Sequence, residues 1–266
     1  MKDFNYCAPT RVIFGKNTEL EVGKALKNAG ATRVLMQYGG GSIKKSGLYD
    51  RVVKAIRDEG IELFELGGVQ PNPHLSLVRK AIEIVREQKI DCLLAVGGGS
   101  AIDSTKATAV GAVYDGDVWD FYCGKAVPKK AMPVGVVLTI PAAGSEGSNS
   151  SVITNEDGWI KRGLGCDLTR PAFAIYNPEL TYSLPAYQTA AGATDIMAHI
   201  MERYFTNEPD VDMTDRLCES VLKTIIRQAP VAVKEPDNYV ARAEMMWAST
   251  VAHNDFLSCF RVGDWS

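Results

Sequence analysis

The first 185 residues alternate between short apolar runs and longer amphipathic stretches. Arg33–Gly40 (RVLMQYGG), Ile61–Leu66 (IELFEL), Cys92–Gly99 (CLLAVGGG) and Pro133–Pro141 (PVGVVLTIP) are bounded by glycine or proline and predict strands. Between them, KSGLYDRVVKAIRDEG and HLSLVRKAIEIVREQK place apolar residues at helical spacing. Strand and helix in alternation predict a mainly parallel sheet with helices on both faces. The opening FNYCAPTRVIFG predicts a pair of short strands. Beyond Pro185 the glycines thin out, and helical patterns run through Ala186–Phe205, Met213–Ala229 and Tyr239–Ser258. That change of texture predicts a second, all-helical domain, with a boundary near Pro178–Pro185.

Composition narrows the picture without identifying a function. A chain of 266 residues, 46% hydrophobic and 23% charged, can bury a substantial core. Its net charge of -3 offers no basic footprint, which argues against nucleic acid as a partner. No apolar run approaches membrane-spanning length, and the N-terminus lacks a signal-like core. The six cysteines are scattered without a C-x-x-C pair, as small buried hydrophobes in a reducing cytoplasm would be.

The segment AAGATDIMAHIMERYF holds the densest candidate chemistry. Asp195 and His199 stand four residues apart and so share one helix face. Ile196, Met197, Ile200 and Met201 surround them and predict burial, where an unpaired carboxylate is costly. A divalent metal gripped from one side meets that cost. A plain carboxylate–histidine hydrogen bond in a helical core is the alternative. The other histidines are His74, expected to begin a helix, and His253, expected to hydrogen-bond within the helical domain.

Two glycine loops follow predicted strands. Gly97, Gly98 and Gly99 lead through Ser100 into a helix, so backbone can approach an anion and the first helical amides can face it. Ser100 and Asp103 read as an N-cap and capping-box pair. A simple strand–helix turn is the other reading. Gly39, Gly40, Gly41 and Ser42, followed by Lys44 and Lys45, end an earlier strand with no acid in the loop. In dinucleotide folds an acid there receives the ribose hydroxyls. Lysines without an acid suit a 2′-phosphate and hence NADP(H), or else form a solvated surface loop. Thr139–Asn155 (TIPAAGSEGSNSSVITN) is small and hydroxylated, able to line a nicotinamide or to be an ordinary loop; Lys161 reads as solvated.

GGGSAIDSTKA, TIPAAGSE, NPELTYSLPAYQTAAGATDIMAHIMERYF and the terminal GDWS occur in an order that resembles the iron-containing, or group III, alcohol dehydrogenases. The butanol dehydrogenase and NAD(P)H-dependent aldehyde reductase branch is the most similar. The resemblance implies an α/β plus all-α, dehydroquinate synthase-like fold: a Rossmann-like parallel-sheet domain over 1–182, then a helical metal-binding domain over 183–266, with the active site in the cleft between them. It implies a hydride transfer between NADP(H), preferred over NAD(H), and a short-chain aldehyde or primary alcohol such as butyraldehyde or butanol, assisted by Fe²⁺ or Zn²⁺. Asp195 and His199 match the first two metal ligands. Gly97 to Ser100, with Asp103, match the pyrophosphate loop, Gly39 to Ser42 the ribose loop, and Asn72, Thr139 and Lys161 cofactor-side positions. Asn177 stands where many members carry aspartate, and is not a ligand.

In that family GDW precedes a helix with two further histidine ligands, which are expected beyond Ser266. The resemblance therefore implies an incomplete helical domain and a fragment of a longer protein, inactive by itself, from a cytoplasmic homo-dimer. A glycerol dehydrogenase, a dehydroquinate synthase-like enzyme, or a non-catalytic nucleotide-binding remnant are the alternatives on the same scaffold.

Overall fold

The computed structural model describes residues 2–260. They form two compact units. One comprises Pro9–Thr139 and Asn149–Asn177; the other comprises residues 2–8, 140–148 and 178–260. Where the sequence pattern predicts one boundary near Pro178–Pro185, and the family resemblance one at 182/183, the helical unit also takes the opening residues and the loop 140–148. The loop's backbone accounts for this. Gly192 has no side chain where the Pro141 carbonyl lies 2.7 Å from its missing Cβ, and the Glu146 carboxylate accepts the Thr250 hydroxyl at 2.7 Å.

The sheet-bearing unit contains β1 (Arg11–Phe14), α1 (Val22–Asn28), β2 (Arg33–Tyr38), α2 (Ser42–Lys45), α3 (Leu48–Asp58), β3 (Glu62–Leu66), α4 (Leu75–Glu87), β4 (Cys92–Gly97), α5 (Gly99–Gly111), α6 (Trp119–Tyr122), β5 (Val134–Leu138), β6 (Ser150–Asn155), β7 (Ile160–Gly165) and β8 (Phe173–Tyr176). Six strands form one parallel sheet in the order β1-β8-β5-β4-β2-β3. β4, β5 and β8 are buried along their whole length, as is β2 past its first residue. Burial on both faces is why these strands read as unbroken apolar runs and not as alternating ones. From β2 the chain steps outward to β3, then returns to the other side of β2 as β4. The topological switch point therefore lies between the carboxyl ends of β2 and β4, where open α/β sheets place their ligands.

Two expectations need correction. The opening segment supplies one strand and not two: β1 alone forms, on the sheet edge beside β8. Pro9 precedes it, and a residue without an N–H cannot contribute a ladder donor. The stretch assigned to a loop contains half of an antiparallel hairpin, β6 with β7, in which Thr154 faces Lys161. Its outer strand is almost wholly exposed, so no apolar alternation marked it.

The helical unit contains α7 (Ala186–Tyr204), α8 (Asp212–Lys234) and α9 (Tyr239–His253). Ile196 and Ile200 from α7, Cys218 and Ile225 from α8, and Met245 and Ala252 from α9 share one core. α8 continues through Pro230 where the sequence pattern ended it at Ala229. No helix among the described residues is long and apolar enough to cross a membrane.

Candidate active site

At the switch point, β4 ends in Gly97 and α5 begins two residues later. A Cβ on Gly97 would lie 2.8 Å from the Ala101 Cβ, so glycine is what lets α5 start so tightly against the strand. The N-cap is Gly98, with no side-chain cap. The capping box expected of Ser100 and Asp103 therefore does not form. Ser100 already lies inside the first turn, and Asp103 Oδ2 accepts the Val152 amide at 3.0 Å. Three positions on, the fully buried Lys106 donates from Nζ to the Ser150 carbonyl at 2.9 Å. These two side chains of α5 satisfy the first half of the β6 edge that is not paired with β7, and the Pro73 carbonyl accepts the Thr154 amide further along it at 2.8 Å. Lys106 was missed in the sequence; a single cation inside the otherwise uncharged run STKATAVGAV is the signal for it.

The second loop follows β2. Gly40, Gly41 and Ser42 are exposed, and the space where side chains on Gly40 and Gly41 would lie is empty to 4 Å. α2 then carries Lys44, whose Nζ sits 5.5 Å from the centre of the Tyr38 ring and 4.8 Å from that of Tyr49. Such cation–π placement steadies a lysine that would otherwise wander in solvent. The Tyr49 hydroxyl donates to Glu65 at 2.8 Å; that hydrogen bond, helped by burial, pushes it up to about 12. Thr139 lies beside the glycine loop that ends β4, its amide donating to the Gly97 carbonyl at 3.0 Å. Asn72 is exposed in the left-handed region (φ 54°), and Lys161 is exposed on β7. His74 takes the N-cap position of α4, as expected of it. An open, side-chain-free surface of this kind fits a dinucleotide, since its backbone can meet phosphate and ribose closely.

In the helical unit, Asp195 and His199 lie on one face of α7, with Asp195 Oδ1 3.8 Å from His199 Nε2. Asp195 is not buried as expected: its side chain is 45% exposed, while His199 is buried. Ile196 and Ile200 point into the core, whereas Asp195 shares an open face with Tyr187, Ala190, Ala191, Thr194 and Ala198. A carboxylate oxygen and an imidazole nitrogen at this separation suit one Fe²⁺ or Zn²⁺ between them. Among the described residues no group of three or more potential ligands assembles, so the pair fits such an ion as two ligands of a larger set. The terminal GDWS lies outside the described residues.

The sequence matches the iron-containing alcohol dehydrogenase family over residues 9–178, and the C-terminal region of the Fe-containing alcohol dehydrogenase family over residues 189–263. It is 46% identical to the probable NADH-dependent butanol dehydrogenase 1 of Bacillus subtilis over 266 residues, all of this chain and 68% of that protein. It is 40% identical to the NADPH-dependent aldehyde reductase YqhD of Escherichia coli, again over the whole of this chain and 68% of that one. The crystal structure of NADH-dependent butanol dehydrogenase A from Thermotoga maritima superposes with a TM-score of 0.96 at 41% identity, covering 99% of this chain and 66% of that one. The chain belongs to the iron-containing alcohol dehydrogenase family, in its butanol dehydrogenase and aldehyde reductase branch. It spans about two thirds of the length of these relatives.

Proposed function

We propose that this chain serves the reversible reduction of short-chain aldehydes, such as butyraldehyde, to primary alcohols, with NADP(H) preferred over NAD(H). The observation that carries the reading is the meeting of two side-chain-free loops, Gly39–Ser42 and Gly97–Ser100, at the switch point of a parallel sheet. Gly97 to Ser100 would receive the pyrophosphate, with the α5 dipole favouring its charge. Gly39 to Ser42 would receive the adenosine ribose, where Lys44 on its aromatic shelf favours a 2′-phosphate. Asn72, Thr139 and Lys161 would lie along the rest of the cofactor. Asp103, which accepts the Val152 amide, would steady α5 behind Gly97 to Ser100 by tying that helix to β6. Asp195 and His199 would hold an Fe²⁺ or Zn²⁺ ion. Bound in these places, the ion would supply Lewis-acid polarisation of the carbonyl and the dihydronicotinamide would supply hydride. The same reading places the protein in the cytoplasm, as a homo-dimer.

The test pairs fluorescence titration with NADPH and NADH against metal content and butyraldehyde reduction, in this chain extended to the length of its relatives and in the Asp195→Ala variant of that extended protein. The expected result is tighter binding of NADPH, and loss of metal and turnover together in the variant. Full metal content with unchanged turnover in Asp195→Ala removes the metal assignment; equal affinity for the two nucleotides removes the stated preference.

A further inference from the structure

His253, at the last turn of α9, was expected to hydrogen-bond within the helical domain. Its partner is His199 itself: the two Nδ1 atoms are 3.2 Å apart, and the rings meet edge to face with centroids 4.5 Å apart. Between two facing ring nitrogens one must carry the proton and the other must accept it. A metal at His199 Nε2, the nitrogen that faces Asp195, requires that nitrogen unprotonated, so the proton must reside on Nδ1. His253 then has to be the acceptor, with its own proton on Nε2.

The backing of His253 is rigid. A Cβ at Gly144 would come within 2.7 Å of the His253 Cβ and 2.6 Å of the Ser249 carbonyl, and Gly144 holds the left-handed conformation (φ 62°) that glycine tolerates. Glu146, two residues on, is buried and bound to the Thr250 hydroxyl at 2.7 Å, so the loop is fastened to α9 one turn before His253. On the other side, the buried Arg203 donates from Nη1 to the His199 carbonyl and from Nε to the Ser258 hydroxyl at 3.0 Å, which holds the α7 backbone at the ligand.

We propose that His253 is a positioning residue that keeps the His199 proton on Nδ1 and turns the Nε2 lone pair toward Asp195 for the metal. The proposal rests on the reading of Asp195 and His199 as metal ligands. Partners that orient a ligating histidine in this way are worth about 10–100-fold in metal affinity.

The test uses ¹⁵N-labelled protein with zinc as the probe. The chain has three histidines, so each ring is assignable by single substitution. Ring-nitrogen NMR is recorded with and without Zn²⁺ for the protein, for His253→Phe, which keeps a ring but no acceptor, and for His253→Asn, whose Oδ1 can replace Nδ1. On zinc addition the protein should show His199 with Nδ1 protonated and Nε2 metallated. His253→Phe should bind Zn²⁺ roughly 10-fold or more weakly and lose the single His199 tautomer, with His253→Asn recovering most of both. Thermal unfolding of the two variants should be alike. Zinc binding that depends on Asp195 but is indifferent to His253→Phe overturns the proposal and leaves the ligand reading standing. Zinc binding indifferent to Asp195→Ala as well, with no change at His199 Nε2, overturns both.

Discussion

The side-chain amide of Gln37, the penultimate residue of β2, donates to the Thr108 hydroxyl on α5 at 3.0 Å, while its carbonyl accepts the Ser104 hydroxyl at 3.1 Å. All three side chains are fully buried. A glutamine inside a parallel sheet is costly unless both ends are satisfied, and two hydroxyls one helical turn apart satisfy it. The pairing also ties the strand that ends in Gly39–Ser42 to the helix that begins at Gly97–Ser100.

Gln37→Leu is expected to destabilise the protein by about 1–3 kcal/mol, because the Ser104 hydroxyl loses its acceptor in a dry interior. Adding Ser104→Ala and Thr108→Val should recover much of the loss, since replacing all partners by apolar groups is nearly neutral. Urea unfolding of the single and triple variants checks this; an unaltered midpoint in Gln37→Leu would show the network to be energetically idle.

Gly97→Ala places its methyl 2.8 Å from the Ala101 methyl, a side chain fixed by its helix and unable to yield. The first turn of α5 must move. Overpacking of this kind costs about 1–3 kcal/mol, and the displaced amides should also lose NADPH. Stability and NADPH titration should therefore fall together, and a variant with both intact would mean that the turn has slack the geometry does not show.

The parallel sheet and its glycine ends were legible in the sequence because burial on both faces leaves only apolar residues, and a close backbone approach leaves only glycine. β2, β3, β4 and β5 all formed within the runs that predicted them. Long-range relationships were less legible. That Asp103 serves β6 and not the α5 cap depends on a strand arriving 49 positions later. Asp195 was read as buried from its neighbours Ile196 and Ile200, yet the residues sharing its face are the exposed Tyr187 and the small Ala190, Ala191, Thr194 and Ala198, which leave it uncovered. His253 carried no local pattern tying it to His199, because the two meet only through the packing of α7 against α9.

Glu156 lies over the N-terminus of α4, its carboxylate accepting both the Ser76 amide, at 3.3 Å, and the Ser76 hydroxyl. Burial works to raise this carboxyl, but the Ser76 hydroxyl, the amides of Glu156 and Ser76, and His74 at 3.6 Å outweigh it and hold it below the ordinary carboxylate range. A group depressed by folding contributes stability above its unfolded pKa, about 4.3 for glutamate, and loses it as pH falls through the folded value. Glu156→Gln should therefore cost on the order of 1 kcal/mol near neutrality, as loss of a helix cap does. The difference from the unsubstituted protein should shrink toward zero at about pH 3, below the ordinary glutamate range. Urea midpoints for both proteins at the two pH values check the sign; a gap that widens in acid would contradict it.

Gly40 offers the cleanest probe of cofactor choice. No atom lies within 4 Å of the position a Cβ would take, and its backbone is not in the left-handed region, so Gly40→Asp should fold as the parent does. A carboxylate beside the ribose loop would accept hydrogen bonds from free 2′- and 3′-hydroxyls and repel a 2′-phosphate. The expected outcome is a fall in NADPH affinity of about tenfold or more, corresponding to ~1.4 kcal/mol, with NADH binding held or improved and the unfolding midpoint unchanged. Titrating both nucleotides against the same preparation separates a shift in preference from a general loss. If NADPH and NADH weaken equally, the carboxylate is obstructing the loop and the ribose does not lie there. If neither changes, Gly39–Ser42 is a solvated turn and the 2′-phosphate reading of Lys44 falls with it.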